Sequence, residues 1–270
     1  MRTISILAIW VVVNLLPLAA RQAPPADMFQ LAILSEDKAA QPTVINARRV
    51  TPKLYSASFY AKDLKCSSSL VGPKTFLTAA HCLKKGPTMT VGVGTRIVVT
   101  TCTTASAYPK NLTADYALCL APDDINDTPY FESVSLDATK LKINQEVSLT
   151  GFGCTERGGG GDKTGNVYRV GEAPIQSLPN GSDNFLVTRG ETAVCFGDSG
   201  GPAFLQMGKD GSPRFQVSVN GVGDNNRVSG LASLSTTTAI SFLQDWSTRH
   251  GQKICGLHPD ATKCQPQVVK

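Results

Sequence analysis

The chain has 270 residues, 41% of them apolar and 17% charged, with 24 glycines, eight cysteines and a formal net charge of +5. That length holds one large β domain or two small ones, and a mix rich in Gly, Ser, Thr and Val suits short strands and turns better than a helical bundle. A modest positive balance with no Lys/Arg block excludes a nucleic-acid interface as the organising feature.

Residues 1–20 read as a secretory signal peptide. Arg2 supplies the positive start, Ile4 to Leu16 the apolar run and Leu18-Ala19-Ala20 the cleavage site. Asn14 and Pro17 interrupt the run, and about 15 apolar residues fall short of a membrane span. Export without a stable membrane anchor is therefore expected, to the extracellular space or, in a bacterium, to the periplasm. In an exported chain eight cysteines form a disulfide framework. Thiolate zinc sites show close cysteine pairs, and no CxxC occurs here, so no metal or cofactor is expected. The residues by themselves leave the pairing open.

Residues 21–43, with Pro24, Pro25 and Pro42, read as a propeptide or N-terminal extension outside the core. From Val44 short β-prone runs follow one another: 55–60, 69–77, 89–100, 116–120, 146–153, 184–188, 203–206, 215–219 and 228–234. Turns such as Lys84-Lys85-Gly86-Pro87, Gly158 to Asp162 and Pro179-Asn180-Gly181 separate them. This pattern predicts an all-β barrel or sandwich. From Ala239 to Arg249 the period changes, with Ile240, Leu243 and Trp246 at helical spacing, which predicts one C-terminal helix packed on the β domain. A polar tail, 251–270, carries Cys255 and Cys264.

Two motifs carry chemistry. The octet Cys195-Phe196-Gly197-Asp198-Ser199-Gly200-Gly201-Pro202 offers a tight turn on which a serine hydroxyl is presented beside converging backbone N–H groups. A serine needs an adjacent base, for which imidazole is suited, and the chain holds only His81, His250 and His258. His81 stands in Thr78-Ala79-Ala80-His81-Cys82. The carboxylate that orients such an imidazole is expected at Asp115, in Asp115-Tyr116-Ala117-Leu118-Cys119-Leu120, where an acid precedes an apolar run. Asp123, Asp124 and Asp127 compete, but they sit in a polar loop.

TAAHC, DYALCLA and GDSGGP, in the order His, Asp, Ser, resemble the chymotrypsin/trypsin family of serine endopeptidases over roughly residues 44–249. The resemblance implies two packed six-stranded antiparallel β-barrels and a C-terminal α-helix, with the site in the cleft between barrels. It implies a protease domain over 44–250 acting on proteins or peptides as a monomer. Ser199 is then the nucleophile, His81 the general base and then acid, and Asp115 the orienting carboxylate. The N–H groups of Gly197 and Ser199 form the oxyanion hole. The Cys66-Ser67-Ser68-Ser69-Leu70 stretch resembles the family's CGGSL strand, with serines in place of both glycines, and implies a Cys66–Cys82 bridge. The usual partner of Cys195 is missing, and Cys154 is the substitute. Cys102–Cys119 and Cys255–Cys264 complete four bridges.

The family's proenzymes are cut to free an N-terminus that pairs with the residue here numbered Asp198, so an activating protease is expected. Val44-Ile45-Asn46-Ala47 matches that N-terminus but follows Thr43; a cut between Arg49 and Val50 suits a trypsin-like activator. Ala193 corresponds to the floor of the specificity pocket, which favours an uncharged residue before the scissile bond. Gly221, Val222 and Gly223 correspond to its wall. Asp224 is either a solvated loop acid or a source of basic preference. The competing readings are a catalytically silent relative that binds or regulates, and an α/β-hydrolase esterase; the latter fails because no acid and histidine pair follows Ser199 and no βα alternation occurs.

Overall fold

The computed structural model describes residues 44–50, 55–161, 167–180, 185–206 and 213–265. The expected signal peptide and the extension up to Thr43 lie outside the described residues. A two-residue strand, β1 (Arg48–Arg49), leads in. Strands β2 (Ser58–Ala61), β3 (Cys66–Gly72), β4 (Thr75–Thr78), β5 (Thr88–Val93), β6 (Arg96–Thr104) and β7 (Ala117–Leu120) then close a barrel in the order β2-β3-β4-β7-β6-β5. In β5, Met89, Val91 and Val93 point inward and alternate with more exposed neighbours, as in a barrel wall wetted on one side. β3 and β4 are buried along their whole length.

The second barrel is built from β8 (Glu146–Gly151), β9 (Arg169–Ser177), β10 (Leu186–Arg189), β11 (Pro202–Gln206), β12 (Arg214–Gly223) and β13 (Val228–Ser233). Their order is β9-β10-β13-β12-β11-β8, and pairing of β8 with β9 closes it. β1 adds to β9 through Arg48↔Val170 and Arg49↔Arg169. Two closed six-stranded barrels and one helix are the expected architecture.

Helix α1 (Thr237–His250) follows β13. The Thr236 hydroxyl accepts the Ala239 N–H at 3.2 Å, and Gly251, at φ 61°, ends the helix in the left-handed conformation that glycine adopts without strain. Leu243 and Trp246 are buried as expected, but Ile240 is half-exposed and the smaller Ala239 takes the core position. The buried face packs on Val71, Leu77, Tyr116 and Val219.

The strands differ from the sequence pattern most at two splits and one omission. The run 69–77 is two strands, parted at Pro73-Lys74, and 89–100 is two strands, parted at Gly94, whose φ is 57°. β9 was absent from the expected strands altogether. Its Gly171, Glu172 and Pro174 depress β-propensity, and barrel closure overrides that local preference.

All four expected disulfides are formed: Cys66–Cys82, Cys102–Cys119, Cys154–Cys195 and Cys255–Cys264. The tail beyond α1 does structural work. Cys255 O accepts the Val134 N–H at 2.8 Å and Lys263 O that of Phe131 at 2.6 Å, which binds the tail to the segment linking the barrels. That segment also carries Glu132, fully buried and held by both ends of the Arg214 guanidinium, at 3.1 Å from Nε and 2.6 Å from the terminal nitrogen.

Candidate functional site

His81 lies in a short 3₁₀ turn, 80–83, directly after β4, and the Cys66–Cys82 bridge anchors that turn to β3. Asp115 ends another 3₁₀ turn immediately before β7 and is buried. Its two oxygens serve one residue: Oδ1 accepts the His81 backbone N–H at 2.8 Å, and Oδ2 lies 2.6 Å from His81 Nδ1. The pairing sets the imidazole so that Nδ1 carries the proton toward the acid and Nε2 is the free base. Burial, and then the Asp115 charge, push the nearby Tyr108 phenol up to about 12, so it stays neutral. The competing acids are exposed: Asp127 pairs with Arg96 and Asp124 with Lys74. His250 stacks on Trp246, and His258 Nε2 meets Ser247 Oγ at 3.0 Å, so both serve the helix and tail. Cys66 and Cys82 lie beside His81, but joined to each other they offer no thiolate to a metal.

The 195–202 loop meets this pair across the barrel interface. Gly197 has φ 96° and Gly200 φ 82°, conformations that a side chain would strain. A Cβ on Gly200 would also collide with Thr78 Oγ1 and Ser67 O, so the chain after Ser199 lies flat against the strand that delivers His81. Four successive carbonyls of the loop are gripped from the protein side. Phe196 O accepts the Cys154 N–H at 3.0 Å, and Gly197 O accepts the Ser67 hydroxyl at 2.7 Å. Asp198 O accepts the Gly201 N–H at 2.8 Å and the Asn220 side-chain amide at 3.2 Å, and Ser199 O accepts the Ser67 N–H at 2.7 Å. The N–H groups of Gly197 and Ser199 have no acceptor among the described residues. The Ser199 hydroxyl likewise has no hydrogen-bond partner there, and no bond joins it to His81 Nε2.

Asp198 is fully buried. Its carboxylate accepts the Gly153 N–H at 2.5 Å and the Cys195 N–H at 2.8 Å, and Gly151 and Gly153 leave the space it fills. Burial pushes its pKa up to about 8, against the opposing pull of those two N–H donors and of the Arg169 charge. A folded-state value above the ordinary 3.8 means the folded chain holds this proton more tightly than the unfolded one. The stability it contributes is then full below about pH 4 and lost as pH rises through about 8. With Val44 still joined to Thr43, denaturant titrations should show stability declining across that window, and Asp198→Asn should flatten the decline; an unchanged profile would refute the assignment.

Around the expected pocket, Ala193 is fully buried and its carbonyl accepts the Ile45 N–H at 3.0 Å. Val194 Cγ2 stands 3.0 Å from where a Cβ on Gly223 would sit, so the floor side and the wall touch. Gly221 faces Asp115 instead, 3.3 Å separating its missing Cβ from Oδ2, and Val222 packs on Gly230. Asp224 turns away: its Oδ1 accepts the N–H groups of Asn226, Arg227 and Val228 at 2.8–2.9 Å, a loop acid closing its own turn. Sequence reasoning did not find Ser67, Asn220, Arg169 or Val194 as contributors. For Ser67 alone a signal existed, the serine standing where the CGGSL pattern has glycine.

A family model described as Trypsin matches residues 44–246. Serine protease SP24D of Anopheles gambiae is 26% identical over 178 residues, covering 58% of this chain and 65% of that protein, a little under two thirds of its length. Brachyurin of Leptuca pugilator is 26% identical over 170 residues, 55% of this chain and 74% of that protein. Among solved structures, the atomic-resolution structure of HBP covers 76% of this chain and 96% of its own, with TM-score 0.58 and 14% identity. A point mutant of human heparin binding protein gives TM-score 0.55 at the same identity and coverage.

Proposed function

The chain belongs to the trypsin family, and from that premise we propose that it is a secreted serine endopeptidase that hydrolyses peptide bonds through an acyl-enzyme on Ser199. As Ser199 Oγ bonds to the scissile carbonyl carbon, His81 Nε2 takes its proton. The carbonyl oxygen becomes an oxyanion received by the Gly197 and Ser199 N–H groups. His81 then gives the proton to the departing amine, and water repeats the sequence on the ester. Asp115 keeps the imidazole in the required tautomer and balances its positive charge. The observation that carries this reading is the pair of N–H groups, at Gly197 and Ser199, that have no acceptor among the described residues, in a loop whose four successive carbonyls from Phe196 to Ser199 are held. Such donors are set before charge develops and need no reorganisation when it does.

A fluorophosphonate probe on the processed protein should label Ser199, with no labelling of Ser199→Ala. Absence of Ser199-dependent labelling, in a sample whose N-terminus has been sequenced, would favour the catalytically silent relative. That N-terminus is expected at Val44. Val44 and Ile45 are buried, and Ile45 packs with Ala193 on the Cys154–Cys195 bridge, whose members adjoin the Asp198 seat. A cut after Arg49 would instead sever β1, the strand that holds this segment to β9.

The pocket residues support an uncharged side chain before the scissile bond. Ala193 has no charge to neutralise Lys or Arg. A peptide library should be cut after uncharged residues; preference for Arg or Lys would overturn this specificity.

A further inference from the structure

We propose that Ser67 and Asn220 are positioning residues of the oxyanion hole, one from each barrel, whose side chains clamp the carbonyls of Gly197 and Asp198. The inference rests on the acyl-transfer reading above and adds two residues to it. Ser67, on β3, is fully buried. Its hydroxyl donates to Gly197 O at 2.7 Å and accepts the Phe152 N–H at 3.2 Å, so the hydroxyl has one direction in which to point. Its backbone N–H holds Ser199 O at 2.7 Å, and Thr78 Oγ1 donates to Ser67 O at 2.9 Å, which fixes Ser67 itself. Asn220, on β12, is also fully buried and donates from Nδ2 to Asp198 O at 3.2 Å and to Thr150 O at 2.8 Å.

The peptide plane explains why these contacts matter to the hole. A peptide's N–H and C=O point in opposite directions across one rigid plane. The Asp198 carbonyl belongs to the same plane as the Ser199 N–H, so Asn220 sets that donor directly. The Gly197 carbonyl lies one bond pair beyond the Gly197 N–H, and Ser67 fixes the rotation between them. Gly197 is the residue whose backbone has the widest freedom to turn; without the hydroxyl its carbonyl plane is held only by the Asp198 N–H on Cys195 O, and its donor's plane only by the Cys154 N–H on Phe196 O. A small hydroxyl at a position where the CGGSL pattern has glycine thus acts as a bolt between the first barrel and the nucleophile loop.

The test uses the full-length protein after processing. Ser67→Ala should lower kcat about tenfold or more, with KM within about twofold, because a buried carbonyl left without its donor relaxes and the donors it held lose aim. Affinity for a peptide boronate, which places an oxygen in the hole, should fall by the same factor, while affinity for a product-like peptide should not. Asn220→Ala should act in the same direction. Ser68→Ala is the control: it is equally buried, with its hydroxyl directed to Phe59 O at 3.4 Å, and should leave the boronate-to-product affinity ratio unchanged. Hydrogen exchange over 195–202 reads the clamp without turnover and should quicken in Ser67→Ala while the barrel strands stay protected. Equal boronate affinity and unchanged loop exchange in Ser67→Ala would overturn the clamp. A wild-type protein that takes no fluorophosphonate but shows faster loop exchange in Ser67→Ala would sink the hydrolase reading and keep the clamp.

Discussion

Asp115→Asn is expected to lower kcat by about four orders of magnitude with little change in fold. Both carboxylate oxygens now accept, one from the His81 backbone and one from Nδ1. An amide can accept at only one of the two positions. If its oxygen stays on the His81 N–H, its NH₂ faces Nδ1 and forces the ring proton to Nε2, so the ring loses the lone pair that the proposed mechanism uses to deprotonate Ser199. If the amide flips, the backbone N–H loses its acceptor and the turn that carries His81 loosens. Single-turnover acylation with a peptide ester separates this from a binding defect, since the loss should sit in the acylation rate and not in KM. A variant retaining wild-type acylation would remove Asp115 from the machinery.

The largest effect on stability is expected at Arg214→Met. Both members of the Arg214–Glu132 pair are out of water, with side-chain exposures of 1% and 0%. The guanidinium also lies 4.0 Å from the Tyr55 ring centroid and 4.9 Å from that of Phe204, and donates to the Tyr130 hydroxyl at 3.2 Å. Burial by itself would lower the arginine pKa, but the Glu132 carboxylate outweighs it and raises it, so the charge is retained. Removing the arginine leaves a buried carboxylate without its cation, which costs about 3–5 kcal/mol. Glu132→Leu combined with Arg214→Met should recover much of that loss, because an apolar pair of similar volume needs no desolvation offset. Urea denaturation of the two single variants and the double variant checks it. Additive losses would show that the two residues do not act as a pair.

The legible parts of this protein were those that chemistry writes into short contiguous stretches. Ser199 and His81 stand in motifs, and Asp115 was found because an acid before an apolar run is unusual unless something receives it. The helix was legible from its period and wrong by one core position, since Ala239 and Ile240 differ too little in pattern to say which faces inward. β9 was illegible because its glycine and proline carry the signature of a turn, and only closure against β8 and β10 makes it a strand. Ser67 and Asn220 could not be found by spacing, since each is defined by a carbonyl more than 20 residues away. The Arg214–Glu132 pair is of the same kind, two charges in β-prone or polar surroundings whose burial is decided by the whole fold.

The disulfides and the returning C-terminus set where this molecule would come apart first. Cys66–Cys82 and Cys102–Cys119 staple the first barrel, Cys154–Cys195 staples the second, and Cys255–Cys264 closes only the tail. None of the four crosses from one barrel to the other. The joint is held instead by buried polar bonds, by an apolar cluster that joins Leu77 and Leu118 of the first barrel to Val219 and Ala232 of the second, and by α1 and the tail, which pack against it and back over the first barrel. Heat or denaturant therefore meets two covalently stapled halves and one seam that no disulfide crosses. His81 and Asp115 lie on one side of that seam and Ser199 on the other, so the grouping of the three is a more fragile property than the barrels that carry them.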